Sequence, residues 1–258
     1  MSLLVLKLTL APGLVAATTL AGRRWGPRMA GWLGGLPVVV GPILLALALE
    51  HGRGFAADAA SGSLAGLLSL TLFVLAYGWS ARFGGWLVAT AAGWTAFGLA
   101  TWGLERVELS DPLALVLVCA SFAAAAWLLP RGPAEAAVAT PRFDLLLRAG
   151  ATAALVLVLT GLAGALGPRL SGLLASFPVL ATVLAAFTHA QEGHAAAAQF
   201  LRGLATGLVA FAVFCFVVAE LLPSHGIAVT FLIGSAAALV SHALSFGARA
   251  WITRGRTG

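Results

Sequence analysis

Gly26-Pro27-Arg28-Met29-Ala30-Gly31, followed by Leu36-Pro37-Val38, is the stretch whose reading decides the fold, because it occurs twice. It returns as Gly167-Pro168-Arg169-Leu170-Ser171-Gly172, followed by Phe177-Pro178-Val179. The displacement from Gly26 to Gly167 and from Pro37 to Pro178 is 141 residues in both cases. The same displacement carries Lys7 onto Arg148, Gly52 onto Gly193, Gly66 onto Gly207, Phe73 onto Phe214, Gly85 onto Gly226 and Gly93 onto Gly234. Two related copies of roughly 100 residues therefore make up most of the chain, and internal duplication in an apolar chain points to a transporter architecture.

The chain has 258 residues, of which 60% are hydrophobic and only 9% charged. Its mean hydropathy is +1.00. Soluble domains carry about 25% charged residues, so a soluble fold of this length could not solvate its surface, and lipid must be the main solvent. The net charge of +6 comes from arginine, with Lys7 the only lysine. These arginines stand singly or in small groups between apolar stretches. That pattern reads as orientation signals for membrane insertion and argues against nucleic-acid binding. Cys119 and Cys215 both lie in apolar stretches without metal-ligand spacing and read as small hydrophobes. The first apolar run is expected to be a retained helix, because it matches the start of the second copy and lacks a cleavage site.

A spanning helix needs about 20 mostly apolar residues. Nine candidate spans follow, at 3–21, 28–50, 59–79, 83–104, 111–129, 143–166, 169–190, 202–221 and 226–248. The fold class is thus an all-α, polytopic integral membrane protein. Repeat 1 occupies 1–104 and repeat 2 occupies 143–248, each with four helices. A linker at 105–142 carries the fifth span, and a basic tail covers 249–258. With nine spans, Arg23, Arg24, Arg28, Arg82, Arg131, Arg142, Arg202, Arg249, Arg254 and Arg256 collect on one side. The other side holds Arg53, Arg106 and Arg169 beside Glu50, Asp58, Glu105, Glu108 and Asp111. The positive-inside rule then puts the C-terminus in the cytoplasm and the N-terminus outside. Five crossings separate the starts of the two copies. An odd number makes them enter the membrane from opposite sides, as inverted repeats.

The repeated residues have both a structural and a functional reading. Pro27 and Pro168 suit the first turn of a helix, so each corner is explained by turn geometry with an arginine at the membrane surface. Alternatively, Arg28 and Arg169 at helix N-termini form seats for an anionic group. Pro37 and Pro178, about nine residues into their spans, should kink or break them. Such breaks serve helix packing, or they mark a central solute site shaped by matched interruptions. Lys7 and Arg148 either snorkel to the interface or point inward, where a cation needs a partner. Asp144, one turn before Arg148, is the nearest candidate partner, and Lys7 has no such neighbour.

Other polar residues carry less. His242 reads as a packed histidine or a proton carrier. His189, Glu192 and His194 are expected in one interfacial loop with no tight metal spacing. Trp25, Trp32, Trp79, Trp86, Trp102, Trp127 and Trp251 mostly suit helix ends at the interface, with Trp94 the exception. No hydrolase elbow, phosphate loop or dinucleotide fingerprint occurs, and acid, base and nucleophile groups are sparse. No enzyme activity, metal or cofactor is expected.

Lys7, the Gly26-Pro27-Arg28 corner, Gly31 and Leu36-Pro37-Val38 resemble the pattern of small bacterial inner-membrane proteins of the GlpM type and a neighbouring family of unknown function. Arg148, Gly167-Pro168-Arg169, Gly172 and Phe177-Pro178-Val179 carry the pattern a second time. The resemblance implies two such units joined in tandem within a bacterial inner membrane, and it brings no substrate. In outline the chain also resembles the drug/metabolite transporter group, which has inverted repeats but ten helices. The expected function is a permease for a small anionic or amphipathic solute, bound through Lys7, Arg28, Pro37, Arg148, Arg169 and Pro178. The alternative is a structural or accessory membrane protein that binds lipid or a partner membrane protein. The expected partners are the lipid bilayer and the solute, with homodimer formation left open and nucleic acid excluded.

Overall fold

In hydrocarbon, every backbone N–H and C=O must be satisfied within the protein, and a run of apolar residues meets this by coiling into an α-helix. The computed structural model, which describes residues 3–132, 143–158 and 177–254, follows that rule: among the described residues all regular structure is α-helical. The elements are α1 (Leu3–Trp25), α2 (Pro27–Gly34), α3 (Val40–Glu50), α4 (Arg53–Ser80), α5 (Trp86–Leu104) and α6 (Asp111–Leu128). They continue with α7, helical over 144–158, then α8 (Val179–Leu221) and α9 (Ile227–Arg254). Among the described residues, five segments are long and apolar enough to cross a membrane: Arg53–Ser80, Trp86–Leu104, Asp111–Leu128, Val179–Leu221 and Ile227–Ser245.

Burial separates these five into centre and rim. The most apolar windows of α4 and α8 are each 56% buried, against 17% for α5 and 22% for both α6 and α9. The central pair therefore holds the core, built around Phe73, Tyr77, Leu64, Leu201, Phe200 and Leu222. The rim helices turn Leu99, Val116, Trp127 and Leu232 outward, as contact with acyl chains requires.

Two expectations are corrected and one pair of alternatives is decided. Of the kink or break expected at Pro37, the structure has the break: 28–50 is two helices, α2 and α3, separated by a non-helical turn at 35–39. The stretch around His189, Glu192 and His194 is not a loop. It is helical throughout, inside α8, with one interruption at Gly193 (φ 83°, ψ 172°). The last helix continues to Arg254, through part of the stretch expected as a tail. The first two have a backbone cause. Proline cannot donate to the preceding turn, so it splits the span at 28–50. Glycine alone tolerates the left-handed φ that joins two helices without a loop, so the polar stretch stays helical on both sides of it.

The 141-residue displacement is visible in the helix boundaries. It maps α4, Arg53–Ser80, onto 194–221, the part of α8 beyond Gly193. It maps the start of α5, Trp86, onto the start of α9, Ile227. Gly52, which joins α3 to α4, has φ 91° and ψ 167°, nearly the angles of Gly193. Packing repeats as well, since a Cβ at Gly93 would meet the Phe73 ring and one at Gly234 would meet the Phe214 ring.

The equivalent helices α4 and 194–221 run antiparallel. At one end the Arg53 guanidinium donates to the His225 carbonyl at 3.1 Å, just past the end of α8. At the other, Gly78 and Leu201 adjoin. The backbones of α2 and 194–221 come into direct contact. A Cβ on Gly31 would strike the Phe200 carbonyl, and one on Gly207 would strike the Trp32 carbonyl. Substituting Gly207→Ala should therefore destabilise the protein by about 1–3 kcal/mol, because backbone cannot yield as a side chain can. A fall in Tm of the detergent-solubilised variant checks this, with Gly98→Ala, which meets open space, as the control.

Candidate functional site

Two features gather the polar and irregular parts of the chain. The first is the pair of proline breaks. The Leu36 carbonyl accepts the Val38 N–H at 2.8 Å, and the Pro37 carbonyl accepts the Gly41 N–H at 2.9 Å. The Phe177 carbonyl accepts the Val179 N–H at 2.8 Å, and the Pro178 carbonyl accepts the Thr182 N–H at 2.8 Å. The same two bonds thus form around both prolines, 141 residues apart. Pro178 has φ −76° and ψ 57°, the geometry of an inverse γ-turn, which bends the chain over three residues and starts a new helix from its own carbonyl.

Both turns sit near half height in the bundle. Gly35, at the first break, abuts Gly207, midway along 194–221. The distance from Gly193 to Gly207 is about 20 Å at 1.5 Å per residue, well inside a hydrocarbon core of about 30 Å. At the second break, Phe177 packs on Trp94 and Phe97 with ring centroids 5.5 Å apart, at the middle of α5. The Trp94 indole N–H donates to Thr182 Oγ1 at 3.0 Å, which accounts for the one tryptophan that fits no interfacial belt. Trp32 likewise lies inside, where α2 ends. It stacks on His242 at 3.8 Å and donates to Ser245 Oγ at 2.9 Å. His242 is therefore packed against an aromatic plane, as the simpler of its two readings has it.

The second feature is a buried ion cluster at one end of the bundle. Asp144 is fully buried and Arg148 is 3% exposed. Arg148 Nε donates to Asp144 Oδ1 and Oδ2 at 2.9 and 3.0 Å, so the partner one helical turn away is the one used. Arg148 Nη2 donates to Gln191 Oε1 at 2.9 Å, and Gln191 Nε2 donates back to Asp144 Oδ1 at 2.6 Å. Arg23, at the end of α1, donates to Asp144 Oδ2 at 2.9 Å, tying the first copy to the second. The Arg148 guanidinium also lies 5.2 Å from the centre of the Phe187 ring. A cavity of about 30 Å³ adjoins the cluster, lined by Thr19, Arg23, Arg148, Thr188 and Glu192 among others, room for about one water.

Of the six residues expected to form a solute site, the structure brings only some into these features. Arg148 anchors the ion cluster. Pro37 and Pro178 each form a turn, the first between α2 and α3 and the second at the start of α8. Arg28 is exposed on the first turn of α2 and makes no hydrogen bond or ion pair among the described residues. The side chain of Lys7, and the whole of Arg169, lie outside the described residues. Arg23 and Gln191 were missed because their roles depend on α1 and α8 meeting α7, contacts with no local sequence period. Among the described residues no group of histidine, cysteine, aspartate and glutamate side chains could hold a metal ion. No protein-family model, curated protein or solved structure matches the chain.

Breaking a buried ion pair by removing one partner costs about 3–5 kcal/mol, because the other charge is left uncompensated. Asp144→Asn should lower stability by about that amount, seen as a fall in Tm in detergent. Adding Arg148→Met to it should recover much of the loss, since the stranded charge is then gone.

Proposed function

We propose that this chain is a membrane transporter or permease for a small anionic or amphipathic solute, built from two inverted repeats that cross the bilayer nine times. On this reading it lies in a bacterial inner membrane with its N-terminus outside and its C-terminus in the cytoplasm. The observation that carries the reading is the pair of matching proline turns near half height. Helices interrupted at corresponding places in two repeats are the feature on which central transporter sites are built. A broken helix presents backbone amides and carbonyls to a solute within the membrane, where an intact helix presents none.

Two further observations support the reading. The antiparallel course of α4 and 194–221 is what a pseudo-two-fold axis in the membrane plane would produce. The buried Arg148 supplies a fixed positive charge within a chain that has few of them inside. A second reading, an accessory or structural membrane protein, draws on the packing. The space beside the ion cluster is water-sized, and α2 rests on α8 backbone to backbone.

Flux in proteoliposomes separates the two. With a transported anion, removing the two proline turns by Pro37→Ala and Pro178→Ala should slow uptake by about tenfold or more, equivalent to at least about 1.4 kcal/mol, while the monodisperse peak on size exclusion is kept. Absence of flux for every anion offered leaves the accessory reading. The inversion is checked by labelling. In a background with Cys119→Ser and Cys215→Ser, Arg24→Cys and Arg169→Cys should react with an impermeant maleimide from opposite sides of the membrane. Reaction of both from the same side removes the inverted arrangement.

A further inference from the structure

Glu192 is the last residue before the bend at Gly193, and it lines the cavity beside Arg148 and Arg23. Among the described residues it makes no hydrogen bond and no ion pair. Asp144 is already engaged, with Oδ1 accepting from Arg148 and Gln191, and Oδ2 from Arg148 and Arg23. The cluster thus holds two guanidiniums and two carboxylates. One carboxylate is saturated, and the other faces a water-sized cavity.

The groups around Glu192 set its chemistry. Arg23 comes from α1, and Asp144 and Arg148 come from α7. His189 and His194 flank Glu192 on its own helix. α2 contributes the uncharged Pro27 and Ala30, and the second segment of α8 contributes Phe200. With Glu192 ionised the four charges balance. With Glu192 protonated the cluster carries one uncompensated positive charge in a half-buried place, which is costly unless an anion joins it. The cavity offers the anion Arg148 and Arg23 as donors and the hydroxyl of Thr188 at its wall, while Thr19 Oγ1 already donates to the Val15 carbonyl at 2.7 Å.

We propose that this cavity is a coupled site for one proton and one small monovalent anion, with Glu192 holding the proton and Arg148 and Arg23 holding the anion. The proposal rests on the transporter reading for its anionic solute, and it names the coupling ion as a proton. Nothing is bonded or broken beyond the proton transfer to the Glu192 carboxylate. The exposed Arg24, Arg28 and Arg82 elsewhere on the chain favour the approach of an anion from solution.

Chloride is the probe, because its size suits the cavity. The full-length protein in nanodiscs of neutral lipid is melted in sodium chloride against sodium gluconate, and the stabilisation gives an apparent chloride affinity. The wild type should bind chloride about tenfold more tightly at about pH 5 than at about pH 8, following protonation of a glutamate. Glu192→Gln, which mimics the protonated side chain, should bind with the same affinity at both values. Retention of the wild-type pH dependence in Glu192→Gln overturns the proposal. So does the absence of chloride stabilisation in both proteins at both pH values. If Glu192→Gln folds poorly, Arg23→Gln decides: weaker chloride binding at the lower pH supports the site, and unchanged binding overturns it. Binding without flux in proteoliposomes keeps the site and removes the transporter reading. Flux without chloride binding keeps the transporter reading and removes the site.

Discussion

The seating of α2 on the second segment of α8 is the contact from which much of the described structure follows. Gly31, Gly35, Gly203 and Gly207 let the two backbones meet with no side chain between them. Lipid tails are as apolar as leucine, so helices in a bilayer gain little from burying leucine against leucine and associate through close van der Waals packing. That close contact holds a short helix of one copy against the longest helix of the other. With α2 fixed, the α1–α2 corner is placed so that Arg23 reaches Asp144, Trp32 lies flat on His242, and the turn at Pro37 falls near half height.

Charge is handled locally where it is most deeply buried. Arg148 and Asp144 could not be desolvated singly without severe cost; Arg148 donates to Asp144 and Gln191, and Asp144 accepts from Gln191 and Arg23 as well. Arg202 takes a different role. It donates to the carbonyls of Leu129 and Pro130 and so satisfies acceptors left open where α6 ends. Smaller polar groups are paired across helices in the same spirit. Ser61 donates to Asp111 at 2.9 Å, Thr101 to Ser69 at 3.0 Å, and Thr71 and Ser121 share a hydrogen bond at 2.9 Å.

Much of this was legible in the chain where the cause is local. Pro37 had to interrupt its helix, and Pro178 could stand only at the edge of one, because a missing N–H and a fixed φ act on their own backbone whatever surrounds them. Asp144 and Arg148 had to be neighbours, being four residues apart on one helix. The stretch from His189 to His194 was misread as a loop for the same reason in reverse. Its polarity suggests a surface connection, but its backbone has helical propensity everywhere except Gly193. Arg28, marked in the sequence by its repetition, is exposed on α2.

The sequence by itself determined that the chain is helical and apolar, that a set of its residues recurs at a displacement of 141, and that one helix breaks at Pro37. These follow from composition and from the covalent properties of proline and glycine, which do not depend on context. Only the tertiary structure decided that the two breaks adopt the same γ-turn, that equivalent helices run antiparallel, and that Arg23, Gln191 and Glu192 gather around Arg148. Those outcomes depend on which helix faces meet. Helices that are apolar on nearly every face carry too little pattern for the sequence to specify that meeting, and it is set by where glycine lets two backbones come closest.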